Sequence, residues 1–145
     1  MAITVSGVEE LMLKLSQTGE RAIRGVSDEI KDGAKDIQDL ARLQAPVDEG
    51  NLEDAIKVEF ERTGINRRVE AFVYVDGDQE ADDGKVVGDY APRMHEGTYN
   101  LGPRSKIKQS AAGVIVGRKF LERAVDDLAP KIINRVYRAV KGVIK

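Results

Sequence analysis

The chain contains no cysteine, no tryptophan and a single histidine. The missing cysteines exclude disulfides, thiolate metal sites and cysteine nucleophiles together, and they fit a reducing compartment. One histidine, His95, is too few for an HExxH zinc motif, which needs a second at fixed spacing. Three Phe and four Tyr, without Trp, make a poor stacking platform for nucleic-acid bases. Charge is also nearly balanced: 23 Lys and Arg against 25 Asp and Glu give −2. No basic excess is present to drive binding to a phosphate backbone. Met1 leads into Ala2-Ile3-Thr4-Val5 with no basic region, so no signal peptide is expected. No run approaches the roughly 20 apolar residues of a membrane span.

What is present suits one domain over residues 1–145. Its organising stretch is Ala45-Pro46-Val47-Asp48-Glu49-Gly50-Asn51-Leu52. Pro46 lacks a backbone donor and pushes Ala45 out of the α region, so a helix must end there. Gly50 can take positive φ. Asp48 and Asn51 can bond nearby amides and close a turn. Leu52 points back into the core. The stretch predicts a helix-to-sheet corner.

Ahead of it, Ile3 to Ser6 alternate as a short strand would. Ser6 and Glu9 form a capping-box pattern, and Val8, Leu11, Met12 and Leu15 share one helical face. Thr18-Gly19 reads as a break, followed by a second helix from about Glu20 to Leu43. Its apolar stripe is Ile23, Val26, Ile30, Ala34, Ile37 and Ala41. Gly25 and Gly33 either weaken this helix or let a neighbour approach closely.

After the corner, Ala55 to Glu61 alternates, with Ile56, Val58 and Phe60 on the inward side. Arg62 to Arg67 reads as a hairpin loop, and Val69, Ala71, Val73 and Val75 as the returning strand. Asp76 to Asp89 is an acidic, glycine-bearing loop. It fails the EF-hand pattern, because the required Gly and Glu positions hold Ala81 and Val87. A short helical turn is expected from Ala91-Pro92 to Gly97. His95 and Glu96 read as a partly buried structural pair. Asn100 to Ala112 reads as a basic loop, and Val114-Ile115-Val116 as a brief third strand. From Lys119 onward the stripe Leu121, Ala124, Val125, Leu128, Ile132, Val136, Val140 and Ile144 predicts a helix, kinked or restarted at Pro130. No catalytic constellation emerges, so no enzyme, cofactor or metal site is expected.

The order of these pieces carries a resemblance. The Ala-Pro-Val-Asp-Glu-Gly-Asn-Leu corner is followed by Tyr90-Ala91, then Glu96-Gly97-Thr98, then Phe120-Leu121 with Ala124. In that order they resemble the neck or tail-completion family of tailed bacteriophages, related to the minor tail protein Z of lambda-type phages. The resemblance covers roughly residues 3 to 140. It implies an α+β fold, in which a long N-terminal helix and a C-terminal helix pack on a small antiparallel sheet. It also implies a structural virion protein, made in the host cytoplasm. Such a protein would form a ring, six-fold in expectation, in the neck that joins head to tail. Implied partners are further copies of itself, the neighbouring connector and the tail-terminator or tail-tube proteins. DNA passage through the ring is implied, without a specific nucleic-acid site or a membrane. The alternative is a non-virion binding or assembly-factor module of phage or prophage origin. Two segments of opposite charge are the candidate inter-subunit contacts: Asp76, Asp78, Glu80, Asp82 and Asp83 in one, Arg104, Lys106, Lys108 and Arg118 in the other. In a heterologous ring contact, one could meet the other on the next subunit. Pro46, Asp48, Gly50 and Leu52 are the candidate corner residues.

Overall fold

The computed structural model describes residues 8–63 and 68–144, with side chains from residue 12 onward and not at 63 or 68. The expected opening strand, the Ser6 cap and the hairpin loop around Gly64 and Asn66 lie outside them. Seven elements follow in order: α1 (Val8–Gln44), α2 (Asn51–Asp54), β1 (Ile56–Thr63), β2 (Arg68–Val75), α3 (Val87–Glu96), α4 (Pro103–Ala112) and α5 (Phe120–Ile144). The arrangement is α+β, as expected, with a two-stranded antiparallel sheet; the sheet packs on α1, and α5 packs mainly on α1 rather than on the sheet as expected.

α1 is one helix of 37 residues, about 55 Å at 1.5 Å per residue. The expected break at Thr18-Gly19 does not occur. A glycine inside a helix costs only about 1 kcal/mol, and the apolar positions stay in phase across it. Gln44 is the last helical residue, so Pro46 ends the helix as predicted. The α1 face holding Ile23, Val26 and Ile30 meets Val69 of the hairpin. One residue further round, at about 100°, a second face meets α5. There an added Cβ on Gly25 would lie 3.6 Å from Ala139, and one on Gly33 only 2.8 Å from Ile132. The two glycines therefore set close approach between antiparallel helices. Arg135 of α5 reaches back to Glu29 at 3.2 Å and Asp36 at 2.8 Å.

The hairpin register pairs Ile56 with Val75, Val58 with Val73 and Phe60 with Ala71 on the side facing α1. Ile56 is fully buried, but Phe60 is exposed, because the packed core ends before it. An isolated two-stranded hairpin is marginal in water, so this one depends on α1. Two side chains of α1, Gln38 and Arg42, donate to the carbonyl of Ile56 at 2.7 and 2.9 Å. The core gathers at the C-terminal end of α1: Ala41, Ala45, Leu52, Ala55, Ile56, Val87, Ala91, Phe120 and Ala124.

Four further expectations change or narrow. α3 begins at Val87, ahead of Ala91-Pro92, and carries Pro92 inside its second turn. The basic segment is not a loop but helix α4, started by Pro103 and stopped by Gly113 at φ 66°. Its apolar periodicity is weak because it buries little except Ser105. Val114 to Val116 form no strand; the Val116 amide instead donates to Gln109 Oε1 at 3.0 Å. α5 runs through Pro130 without ending.

Candidate functional site

The corner is where separate parts of the sequence converge. Gly50 has φ 93°, a left-handed backbone that a β-carbon would strain. It opens the one-turn helix α2, which carries buried Leu52. Pro46 is buried. Asp48 contributes its carbonyl, which accepts from the Arg104 guanidinium; no side-chain cap on the turn is formed there. The peptide of Val47 is held at both ends by one hydroxyl. Ser105 Oγ accepts from its N–H at 2.9 Å and donates to its carbonyl at 3.0 Å. Ser105 is buried, so this pairing satisfies groups that water cannot reach.

Lys108 closes the end of α1. Its ammonium donates to the carbonyls of Arg42 and Ala45 and to Glu53 Oε1, the last at 2.6 Å. A cation there satisfies orphan carbonyls and complements the helix dipole. Lys108 is only 15 % exposed, so it serves the fold and is not presented to a neighbour. Arg104 is likewise engaged within the chain. Lys106 is exposed, and Arg118 donates to Thr98 Oγ1 at 3.4 Å.

The acidic segment is also more ordered than a free loop. Glu80 and Val86 form an antiparallel bridge, and the Gly88 amide donates to the Gly77 carbonyl at 2.9 Å. Asp76 Oδ1 accepts from the Asp78 amide at 3.1 Å. Asp83 bonds Lys85 at 2.7 Å; that hydrogen bond holds its carboxyl below the usual range and raises the Lys85 ammonium. Asp78, Glu80 and Asp82 are exposed. The acidic turn and α4 approach one another within a single chain, because Asp83 and Arg104 both line one open cleft of about 690 Å³. Residues 46–52 of the corner, Tyr90 and Met94 of α3, and residues 99–105 complete it. The Tyr99 phenol donates to the Met94 carbonyl at 2.7 Å, and burial raises its pKa.

His95 sits behind the cleft. Its ring stands edge-on to buried Phe120 at 4.9 Å, and its Nδ1 lies 2.7 Å from Glu96 Oε1. Glu96 also meets Lys119 at 2.6 Å, and Lys119 first, then His95, lowers its pKa. Lys119 donates its amide to the His95 carbonyl at 2.7 Å, which fixes the start of α5 against the end of α3. Gly97 ends α3 in extended backbone; glycine is required because a Cβ would stand 2.4 Å from the Arg93 carbonyl. Thus the Tyr-Ala, Glu-Gly-Thr and Phe-Leu segments do meet around the corner.

Sequence reasoning missed Ser105, Gln44 and the structural role of Lys108. Gln44 is buried, donates to Asp127 at 3.2 Å and accepts the Gly117 amide at 2.9 Å. The usable signal was Gly102-Pro103 with Gly113, a start and stop ten residues apart.

A family model described as "Bacteriophage HK97-gp10, putative tail-component" matches residues 9–87. That is 79 of 145 residues, more than half the chain. The chain belongs to this family. It is a bacteriophage tail component, and the expected kinship with phage neck and tail-completion proteins agrees with that assignment. The match runs from α1 through the hairpin and the acidic turn to the first residue of α3, so α4 and α5 lie beyond it. No curated protein and no solved structure matches the chain. Among the described residues, no helix is long and apolar enough to cross a membrane.

Proposed function

We propose that this tail component forms a ring, six-fold in symmetry, in the neck of the particle, where it completes the joint between head and tail. The role is structural rather than catalytic. Its partners are further copies of itself, the adjacent connector and the tail-terminator or tail-tube protein, with DNA passing through without sequence-specific contact. The carrying observation is the amount of large apolar surface outside the core. Phe72, Tyr74, Ile133 and Tyr137 are all exposed on α5 and the hairpin, away from the corner. Large apolar side chains left exposed on two separate faces are surface that assembly would cover. The exposed charges, Asp78, Glu80 and Asp82 against Lys106 and Arg118, would steer and register the subunits rather than supply affinity. Negative-stain images of concentrated protein should show closed rings, and the chain should be detected in purified virions. Its absence from virions would overturn the neck assignment.

A further inference from the structure

Two exposed faces of this chain carry opposite charge and similar apolar spacing. The first is the outer stripe of α5: Ile133, Tyr137, Lys141 and Ile144, at helical intervals of three and four. Ile133 and Tyr137 are each 65 % exposed. From Pro130 to the C-terminus every charged residue is basic. Arg135 is spent on Glu29 and Asp36, but among the described residues no carboxylate pairs with Lys131, Arg138 or Lys141. The second face is the side of the hairpin turned away from α1. Phe72 and Tyr74 stand there, 46 % and 39 % exposed, opposite Glu59 and Lys57, with Glu61 next along the strand, so the face is acidic on balance. Among the described residues Glu59 and Glu61 have no ion-pair partner.

We propose that the outer stripe of α5 on one copy seats on the outer face of the hairpin on the next copy. The dimensions agree: Ile133 to Ile144 spans about 16 Å of helix, and Lys57 to Glu61 about 14 Å of strand. Ile133 and Tyr137 are one turn, about 6 Å, apart, close to the roughly 7 Å between Phe72 and Tyr74. Each face points away from α1, so the two cannot meet within one chain. Two different patches on one subunit give a heterologous contact, which repeats head to tail and closes when the rotation allows. Lys141 on the stripe, and Arg138 at its edge, then face Glu59 and Glu61. This interface rests on the ring reading above and gives it a surface.

The absence of native cysteine makes the test direct. Tyr137→Cys and Phe72→Cys are prepared separately, mixed at high concentration and oxidised. The mixed disulfide should exceed either self-disulfide. Adding Arg138→Glu and Lys141→Glu to the first variant should cut it by about tenfold, from the loss of paired charges. Adding Glu59→Lys and Glu61→Lys to the second should restore it. Melting temperatures of all variants, measured alone, should match the parent, since every changed side chain is exposed. Closed rings in electron micrographs without the mixed disulfide would overturn this interface and leave the ring standing. A chain that remains monomeric and forms no cross-link would overturn both. Protection of Tyr137→Cys by duplex DNA, with no self-association, would assign the basic stripe to nucleic acid and also overturn the inference.

Discussion

The two ends of α1 are built by opposite rules. At the C-terminal end, Ala41 and Ala45 are sealed under Phe120, Ile56 and Val87, and the carbonyls beyond them are taken up by Lys108. At the N-terminal end, Met12, Leu13 and Leu15 are mostly exposed. Gly25 faces Ala139, so α5 comes to its end near residue 20 of α1, and the first turns of α1 continue past it. Small residues and satisfied polar groups hold one end within a single chain. Large apolar residues on long elements leave the other end, and the outer faces beside it, incomplete until something covers them.

The contrast breaks most visibly at Phe120. Phe120→Ala removes the largest fully buried side chain and should cost about 3 to 5 kcal/mol in denaturant unfolding. Met12→Ala, by comparison, should change monomer stability by no more than about 0.5 kcal/mol. A Phe120→Ala variant as stable as the parent would remove the corner as the centre of stability. Next in size is Lys108→Ala. It strands the Arg42 and Ala45 carbonyls at the end of α1 and the Glu53 carboxylate, and should cost about 1 to 3 kcal/mol by the same measurement. Lys106→Ala, two residues away and exposed, should be nearly silent.

The glycines of α1 sharpen the contrast within one helix. Gly19 has open space, so Gly19→Ala should stabilise by about 0.5 to 1 kcal/mol on helix propensity. Gly33→Ala should destabilise instead, because its Cβ would lie 2.8 Å from Ile132 and must push α5 outward. Thermal melts of the two variants should move in opposite directions. The smallest effect is expected at Glu96. Its pKa is depressed in the folded state by Lys119 and His95, so its contribution is present above the ordinary carboxylate range. That contribution is lost as pH falls through the lowered value. Glu96→Gln should therefore slightly lower the melting temperature at neutral pH and leave it unchanged below the lowered pKa, which flattens the acid limb.

Much of the corner was legible because its residues are individually constrained. Pro46 can end a helix and Gly50 can take positive φ whatever surrounds them, and both do. The hairpin was legible from alternation and the long helices from their stripes. Errors fell where a local signal was overruled by continuity or by distant partners. Thr18-Gly19 looked like a stop, yet the stripe passes through in phase. α4 looked like a loop because it is held by a serine and a lysine rather than by apolar periodicity. Val114 to Val116 looked like a strand, but its one buried member, Val116, is tied by its amide to a glutamine side chain. Lys108 read as a surface charge, since nothing local to residue 108 reveals that the end of α1 lies beside it.

The overhang of α1 has a mechanical consequence. α5 and the hairpin hold the helix from its C-terminal end back to about Ala22. The turns before that, about 20 Å of helix, project past α5 as a lever, and a tilt of about 10° at their root moves the tip by about 3 Å. The width of any opening framed by such levers is therefore governed from the last residues that α5 and the hairpin grip.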